Sequence, residues 1–296
     1  LPAVLATLRL EHPDDGRRSI ARRLFLQPRY AGTRHRPDRA DDVWRRVRRR
    51  PPRRRGLRIA VSVYMKGLPQ ETSRGRLETA PACPLCGTGD PTPYHRDRVR
   101  RYWRCRDCAL VFVPPAARVD ASAEKARYDQ HQNDPADPRY RQFLARLADP
   151  LIARVPRGAV GLDFGSGPGP ALGPMLTEAG LRVHLYDVFY APDPAVWNQR
   201  YDFITASEVI EHLHHPRAEL NRLFSVLVPG GYLAMMTRWV GDHGAFTRSR
   251  YSRDPTHVCF YSTATCRWIA RRWRARLELP ATNVALFRTG DVTSTA

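Results

Sequence analysis

A glycine-rich stretch, residues 163–169, is the part of the sequence best suited to hold a ligand. An apolar run ends at Asp163 and leads into Gly165-x-Gly167-x-Gly169, and a helix-like stretch follows from Ala171 to Ala179. Glycines let a backbone approach a ligand closely, and the first amides of the helix would face it. The pattern predicts a turn that binds a nucleotide-bearing ligand, with an ordinary strand–helix turn as the alternative. Its spacing is neither the dinucleotide G-x-G-x-x-G nor a P-loop.

Four of the six cysteines form two Cys-x-x-Cys pairs. Cys83 and Cys86 are followed, after 18 residues, by Cys105 and Cys108, which fits the spacing of a four-cysteine zinc site. A closed set of four thiolates has no open position for water, so we expect a structural Zn²⁺ that supplies most of the folding energy of a small zinc ribbon. The isolated Cys259 and Cys266 are expected in the core.

Carboxylates and imidazoles form a second group that could do chemistry. Glu208, Glu211 and His212 stand at i, i+3 and i+4, so a helical turn would place them on one face. His257, on a later loop, could join them. This set would suit a divalent cation, or a histidine could act as a general base held by an acid. A third interpretation is that the two glutamates only cap the following helix.

The elements that must position these residues alternate between strand and helix. A strand at 182–187 ends in Asp187, about 20 residues past the glycines, and further strands are predicted at 201–207, 232–237, 276–279 and 283–289, with helices at 214–227 and 263–272. The alternation predicts an α/β fold with a Rossmann-like, doubly wound, mostly parallel sheet that binds ligands at the carboxyl ends of its strands. Only 14 residues separate Asp187 from Asp202, so one edge of the sheet should be shortened.

The chain carries 49 Lys and Arg against 29 Asp and Glu, a net charge of +20. Residues 1–80 hold 21 of the basic and 8 of the acidic side chains. Within them, Arg45 to Arg58 is nearly continuous arginine and proline, too charged and too poor in apolar residues to build a core. We predict a basic, disordered extension here; a nucleic-acid-binding arm and a true translation start at Met65 are the alternatives.

The remaining segments are predicted as a zinc ribbon at 81–115, a helical linker at 116–158 and a catalytic domain at 159–296. In the linker, Tyr128 and His131 either form a lid over the ligand pocket or belong to a simple helix–helix connection. No apolar run reaches the roughly 18 residues of a transmembrane helix. Paired cysteines without a secretory signal indicate a soluble protein of the reducing cytoplasm.

Several of these motifs occur together in a known family. Residues 81–289 resemble class I S-adenosylmethionine (SAM) methyltransferases of the ubiquinone-O-methyltransferase-like group, in a branch with an N-terminal zinc ribbon. The resemblance rests on Leu162–Gly169, Tyr186-Asp187, Tyr201–Ile204, Glu208–Leu213, Leu227–Gly231 and Asp254–His257. It implies SAM binding by Gly165, Gly167 and Gly169, with Asp187 on the ribose and Asp163 near the methionine end. An adenine contact usually offered by the shortened edge has no obvious donor, and Asp193 and Trp197 are candidate substitutes.

The resemblance also implies a reaction. We expect transfer of a methyl group to the oxygen of a small-molecule acceptor, which Glu208, Glu211, His212 and His257 would orient and deprotonate, either as a general base or through a second divalent cation. The first alternative is a nucleic-acid-binding or RNA-modifying protein that docks through the ribbon and the basic arm. The second is a protein that binds SAM without turnover.

Overall fold

The structure, a computed structural model, describes residues 80–130 and 133–290. The predictions for residues 1–79, including a start at Met65, and the prediction for His131 lie outside the described residues. The strands are β1 Pro91–Arg96, β2 Arg101–Cys105, β3 Val111–Phe112, β4 Val160–Phe164, β5 Arg182–Tyr186, β6 Tyr201–Ser207, β7 Leu227–Met236, β8 Cys259–Phe260, β9 Arg276–Ala281 and β10 Val284–Arg288. The helices are α1 Ala121–Tyr128, α2 Pro138–Ile152, α3 Leu172–Glu178, α4 Pro216–Ser225, α5 His243–Arg248 and α6 Thr263–Arg272.

The main sheet has six strands in the order β5-β4-β6-β7-β10-β9. Strands β5, β4, β6 and β7 pair in parallel, and β10 and β9 close the sheet as an antiparallel pair. The predicted Rossmann-like α/β fold is confirmed. The functional side chains follow β4, β5 and β6, so they gather at the carboxyl edge of the parallel strands.

The shortened edge is confirmed as well. Strand β5 lies at the edge of the sheet, and the segment that follows contains only a 3₁₀ turn, Pro194–Asn198. Asp193 caps this turn by accepting a hydrogen bond from the Ala195 amide. The Trp197 ring packs edge-on against Tyr186, and the guanidinium of Arg222 lies 3.5 Å from its centre. Both candidate adenine contacts are thus engaged in holding the edge of the sheet.

Helices cover both faces of the main sheet. On one face, Leu147 and Leu151 of α2 and Leu176 of α3 belong to a buried cluster that includes Phe203 and Leu286 of the sheet. On the other face, α4 and α6 pack against the sheet through a second buried cluster that includes Leu220, Leu223, Cys266 and Ile269. Cys259 and Cys266 are both buried, as predicted. No helix in the described part of the chain is long and apolar enough to span a membrane.

The cysteine-bearing segment forms a second sheet, in the order β1-β2-β3-β8. Its last strand comes from the main domain: Val111 pairs with Phe260, and Phe112 pairs with Cys259. Strand β1 was not predicted, because Pro91 and Pro93 argue against a strand; both are tolerated since β1 is an edge strand. The hydrophobic core is continuous from this sheet into the main domain.

The strand predicted at 232–237 begins earlier in the structure, at Leu227, so that Pro229-Gly230-Gly231 lie within β7. Pairing with β6 passes directly from Leu227 to Tyr232, so residues 228–231 bulge out of the ladder. Gly230 has a φ of +77°, which explains why a glycine occupies the bulge.

Candidate active site

The glycine-rich turn follows β4 directly. Gly165 and Gly167 have φ angles of +75° and +68°, a left-handed conformation that glycine adopts without strain. A Cβ on Gly165 would lie 2.4 Å from a methyl group of Val209, and one on Gly169 would lie 2.3 Å from the backbone oxygen of Asn133. The turn is therefore held close to β6 and to the chain that follows the linker helix α1.

Replacing Gly165 by alanine should destabilise the fold. The left-handed φ costs about 1–2 kcal/mol, and overpacking against Val209 adds about 1–3 kcal/mol. Gly167→Ala is the matched control for stability, because its Cβ would meet no described atom within 4 Å and only the conformational cost applies. Thermal unfolding of both variants gives the measurement; equal losses of stability in the two would contradict this account of Gly165.

Asp163 supports the turn from beneath. The side chain is buried, and its Oδ1 accepts a hydrogen bond of 2.7 Å from the Thr205 hydroxyl. Burial raises the pKa of this carboxyl to about 6, although the Thr205 bond opposes the rise. The expected position of Asp163 near the methionine end of SAM stays a prediction. In the structure, its hydrogen bond with Thr205 connects β4 to β6.

Asp187 joins the end of β5 to the glycine-rich turn. Its Oδ2 accepts a hydrogen bond of 3.0 Å from the Gly167 amide, and its Oδ1 accepts from the amides of Phe189 and Tyr190. The amides of Gly165 and Ser166 donate to the Tyr186 carbonyl. The amides of residues 165–167 are thus all bonded within the protein.

The segment after β6 carries the acid–imidazole group. Residues Ile210–His212 form a 3₁₀ turn, and Glu208 precedes it with a φ of +53°. The expectation that Glu208, Glu211 and His212 share one helical face is therefore wrong, because Glu208 stands outside the turn. The structure instead brings Glu211, His212 and His257 together, with one potential ligand atom from each lying within 4.8 Å of the others. We call these three residues the Glu–His cluster.

Glu211 is fully buried at the centre of this cluster. Its Oε2 accepts a hydrogen bond of 2.9 Å from the Thr237 hydroxyl. Its Oε1 has no hydrogen-bond partner in the described part of the chain. Burial raises the pKa of this carboxyl to about 7, because removal from water disfavours the charged form. Glu211 does not cap α4, whose N-cap residue is His215.

Both histidines of the cluster are fixed through Nδ1. His212 Nδ1–H donates to the Thr256 carbonyl at 3.1 Å, and His257 Nδ1–H donates to the Tyr251 carbonyl at 2.7 Å. Because a carbonyl only accepts, these bonds place the proton on Nδ1 and, in a neutral ring, leave the lone pair on Nε2. The same arrangement orients metal-binding histidines.

Glu208 is half-buried beside the cluster but not part of it. Its amide donates to the Met236 carbonyl, which ties the end of β6 to the end of β7. Burial and the nearby Glu211 carboxylate raise the pKa of Glu208 well above its usual value, and Arg146 and Arg238 oppose the rise.

Helix α1 covers the Glu–His cluster. The Tyr128 ring lies edge-on to His212 at 5.1 Å and also contacts Phe189 at 6.0 Å. Its hydroxyl donates to Glu124, and burial raises the pKa of this hydroxyl above the usual value for tyrosine. Tyr128 thus packs against a member of the cluster. The lid hypothesis stays a prediction, and its other residue, His131, falls outside the described residues.

The four cysteines also come together. The sulfurs of Cys83 and Cys108 are 3.5 Å apart, and those of Cys86 and Cys105 are 3.3 Å apart. All four sulfurs lie within 4.8 Å of one another, as a tetrahedral zinc site requires. We call residues 83–108 the cysteine module.

Three polar residues at the site were missed by the sequence analysis. Thr237 and Tyr251 meet at 2.6 Å between their hydroxyls, next to Glu211. Thr237 is the last residue of a predicted strand, and this position at a carboxyl end could have identified it as a site residue. Arg100 reaches the loop that carries His257. It stands in a row of similar residues, Arg98 to Arg104, and nothing in that row distinguishes it.

A family model described as "Methyltransferase domain" matches residues 112–273, more than half of the chain. No curated protein matches. The chain is similar to the structure of an O-methyltransferase family protein from Burkholderia thailandensis, with 12% identity and a TM-score of 0.39 over 57% of this chain and 63% of the other. It thus spans less than two thirds of that protein.

Two further solved structures are similar at the same level. The YcgJ protein from Bacillus subtilis shows 15% identity and a TM-score of 0.34 over 45% of this chain and 69% of that one. A methyltransferase of calicheamicin biosynthesis, solved with SAH, shows 14% identity and a TM-score of 0.37 over 58% of each chain. At such scores these likenesses carry no argument, and the assignment rests on the family match. The chain belongs to the methyltransferase-domain family.

Proposed function

We propose that this methyltransferase acts on a hydroxyl group of a small-molecule acceptor, which the Glu–His cluster orients and deprotonates. The observation that carries the proposal is the convergence of Glu211, His212 and His257 within 4.8 Å, at the end of β6 where a parallel sheet binds its ligands. A hydroxyl oxygen attacks the methyl group efficiently only when a nearby group accepts the hydroxyl proton and the oxygen is held in line with the methyl group.

The glycine-rich turn fits SAM. Space opens next to Gly167, where a Cβ would meet no described atom within 4 Å. The buried Ser166 hydroxyl has no hydrogen-bond partner in the segments that the structure describes. Asp187 accepts three hydrogen bonds, and a carboxylate can accept about four, so one position remains for a ribose hydroxyl. We assign SAM binding to Asp163, Gly165, Gly167, Gly169 and Asp187. SAM supplies an electrophilic methyl group, so the protein mainly has to orient the acceptor and accept its proton.

The Glu–His cluster can serve the acceptor in two ways. As a general base, Nε2 of His212 or His257 would take the proton, since Nδ1 of each ring is already fixed to a carbonyl. As a cation site, the two Nε2 atoms and Glu211 Oε1 would provide a mixed nitrogen and oxygen donor set, which suits Zn²⁺ or Fe²⁺ better than Mg²⁺. A cation there would lower the pKa of a bound hydroxyl.

The cover over the cluster favours a small acceptor. The Tyr128 ring of helix α1 packs against both His212 and Phe189, and such an aromatic cover suits a small acceptor better than an open nucleic-acid groove would. RNA is the second candidate, and one observation favours it: the cysteine module exposes Arg96, Arg98, Arg101, Arg104 and Arg106. Basic side chains beside aromatic rings are typical of nucleic-acid binding.

We further propose that the four cysteines hold a structural Zn²⁺. The close approach of all four sulfurs supports it, and so does the burial of Cys83, Cys105 and Cys108. Four thiolates leave no open position, so this ion would stabilise the module and take no part in chemistry.

Methyl transfer from labelled SAM into a fractionated cell extract tests the proposed function. We expect label in a small-molecule fraction, and at least about 100-fold less with His212→Ala or His257→Ala, while both variants keep their affinity for SAM. His215→Ala is the matched control, because this exposed histidine lies outside the cluster.

Each other outcome has a definite meaning. Label in RNA, in an amount that falls steeply as the salt concentration rises, would mean that the acceptor is RNA and not a small molecule. Full activity in His257→Ala would remove the cluster from the reaction. No label in any fraction, with SAM still bound, would leave a SAM-binding protein without turnover. Stimulation of wild type by added Zn²⁺ or Fe²⁺, absent in His257→Ala, would select the cation over the general base.

A further inference from the structure

A buried arginine connects the cysteine module to the loop that carries His257. The Arg100 side chain is only 6% exposed, and its guanidinium donates to four backbone carbonyls of residues 252–257. One terminal nitrogen contacts Pro255 O at 3.2 Å and His257 O at 3.0 Å. The other contacts Ser252 O at 2.6 Å and Asp254 O at 2.8 Å. A buried charge is tolerated because each side of the fork is satisfied.

The same loop orients both histidines of the Glu–His cluster. The Tyr251 carbonyl accepts from His257 Nδ1, and the Thr256 carbonyl accepts from His212 Nδ1. The Tyr251 carbonyl directly precedes the carbonyls that Arg100 binds, and the Thr256 carbonyl lies between two of them. The guanidinium therefore holds the backbone that carries the acceptors of both imidazole rings.

Arg100 is itself held by the hairpin of the cysteine module. Asp97 Oδ1 accepts from the Arg100 amide at 2.6 Å, and Asp97 Oδ2 accepts from the Tyr102 hydroxyl at 2.7 Å. That hydroxyl also contacts Ser252 O at 2.7 Å. The hairpin turn at residues 97–100 lies between the two Cys-x-x-Cys pairs. The packing of the four cysteines therefore helps to hold the backbone of Arg100 in position.

A ladder of backbone hydrogen bonds runs beside Arg100 to the third member of the cluster. The Val113 amide donates to Val258 O, and the Val258 amide donates to Glu211 O at 2.8 Å. Strands β3 and β8 continue the same ladder. Strand β3, which pairs with β2 of the module, thus connects the module to Glu211 through the backbone, and Arg100 connects it to the two histidines through the loop.

We infer that Arg100 is a positioning residue of the methyltransferase site, through which the cysteine module sets the orientation of His212 and His257. This inference rests on the proposed function of those histidines. It gives the module a role in the reaction that does not require contact with the acceptor.

Arginine is needed at this position because of its geometry. A guanidinium presents donors on a planar fork and reaches acceptors on two sides at once. A lysine ammonium keeps the charge but has three donors on a single nitrogen, so it cannot span carbonyls from Ser252 to His257. Arg100→Lys therefore separates the geometric role from the charge.

The test compares Arg100→Lys and Arg100→Gln with Arg98→Gln, a matched control that removes an exposed arginine from the same hairpin. In Arg100→Lys we expect kcat to fall about 100-fold, the effect of a misplacement of about 1 Å. The KM for SAM and the zinc content should stay within twofold of wild type. Arg98→Gln should match wild type in all three. Unchanged kcat in Arg100→Lys would overturn the inference.

A second readout does not depend on turnover. In ¹⁵N-histidine NMR spectra of the full chain, His212 and His257 should show protonated Nδ1 in wild type and in Arg98→Gln. In Arg100→Lys these two signals should broaden or change tautomer, while other histidines keep theirs; unchanged spectra would overturn the inference. If His257→Ala remained fully active while Arg100→Lys still altered both signals, the proposed function would fail and the positioning of the two rings by Arg100 would stand.

Discussion

Glu211→Gln should lower kcat for methyl transfer by about 10³-fold, within the range for loss of an acid–base group. The substitution keeps the size of the side chain but removes the negative charge at the centre of the Glu–His cluster. Thr237 can still donate to the remaining amide oxygen, so the packing around residue 211 should persist. In glutamine, an NH₂ group takes the place of Oε1. It presents a hydrogen-bond donor to His212 and His257, where the carboxylate presented an acceptor.

The measurement is steady-state kinetics together with SAM titration and thermal unfolding. We expect unchanged SAM affinity, because Glu211 stands after β6 and not at the glycine-rich turn. Glu219→Gln is the matched control: it removes a carboxylate from helix α4, outside the cluster, and should leave kcat within twofold of wild type. A Glu211→Gln enzyme with wild-type kcat would exclude this carboxylate from the reaction.

Glu208→Gln completes the comparison between the two glutamates. The sequence places them equally, three residues apart, whereas the structure places only Glu211 in the cluster. We therefore expect a smaller loss of kcat for Glu208→Gln. A larger loss would mean that Glu208 is the carboxylate that acts on the acceptor, from the side of the site near Arg146 and Arg238. These two cations oppose the rise in the pKa of Glu208.

The parts of the fold that were predicted correctly are those encoded by local patterns. The glycine spacing at 165–169 fits its left-handed turn, because few other residues adopt that conformation cheaply. The missing edge strand follows from chain length alone: 14 residues cannot hold a helix and a strand. Helix α6 has the predicted bounds, because Ser262 caps its start and its apolar residues recur at helical spacing.

The parts that could not be predicted depend on contacts between distant residues. The left-handed φ of Glu208 turns its side chain away from the helical face that simple spacing gives it. Arg100 resembles its neighbours in sequence, and only the approach of residues 252–257, more than 150 positions later, buries it. Strand β8 joins the sheet of the cysteine module for the same reason, since its partner β3 is remote in the chain.

Cys105→Ser should abolish activity even though residue 105 lies far from the Glu–His cluster in sequence. Loss of one thiolate breaks the four-sulfur set, in which Cys105 lies 3.3 Å from Cys86. Structural Zn²⁺ binding is worth about 10–16 kcal/mol in small zinc-folded peptides, more than so small a module gains from its own core. We expect the variant to lose most of its zinc, as measured by elemental mass spectrometry, and to lose order in β1 and β2, as seen in near-ultraviolet circular dichroism from Tyr102 and Trp103.

The activity of Cys105→Ser should then fall at least as far as that of Arg100→Lys. Disorder in the hairpin would disrupt both the hydrogen bonds of Arg100 to the loop and the pairing of β3 with β8. Cys266→Ala is the control: this buried cysteine of α6 lies outside the four-sulfur set, so the variant should keep its zinc and lose about 1 kcal/mol of stability. A zinc-free Cys105→Ser enzyme with wild-type kcat would show that the main domain holds the loop at 251–257 by itself. A zinc-free enzyme that binds SAM normally but does not turn over would mean that the module acts on the reaction through His212 and His257. This is the result that positioning by Arg100 predicts.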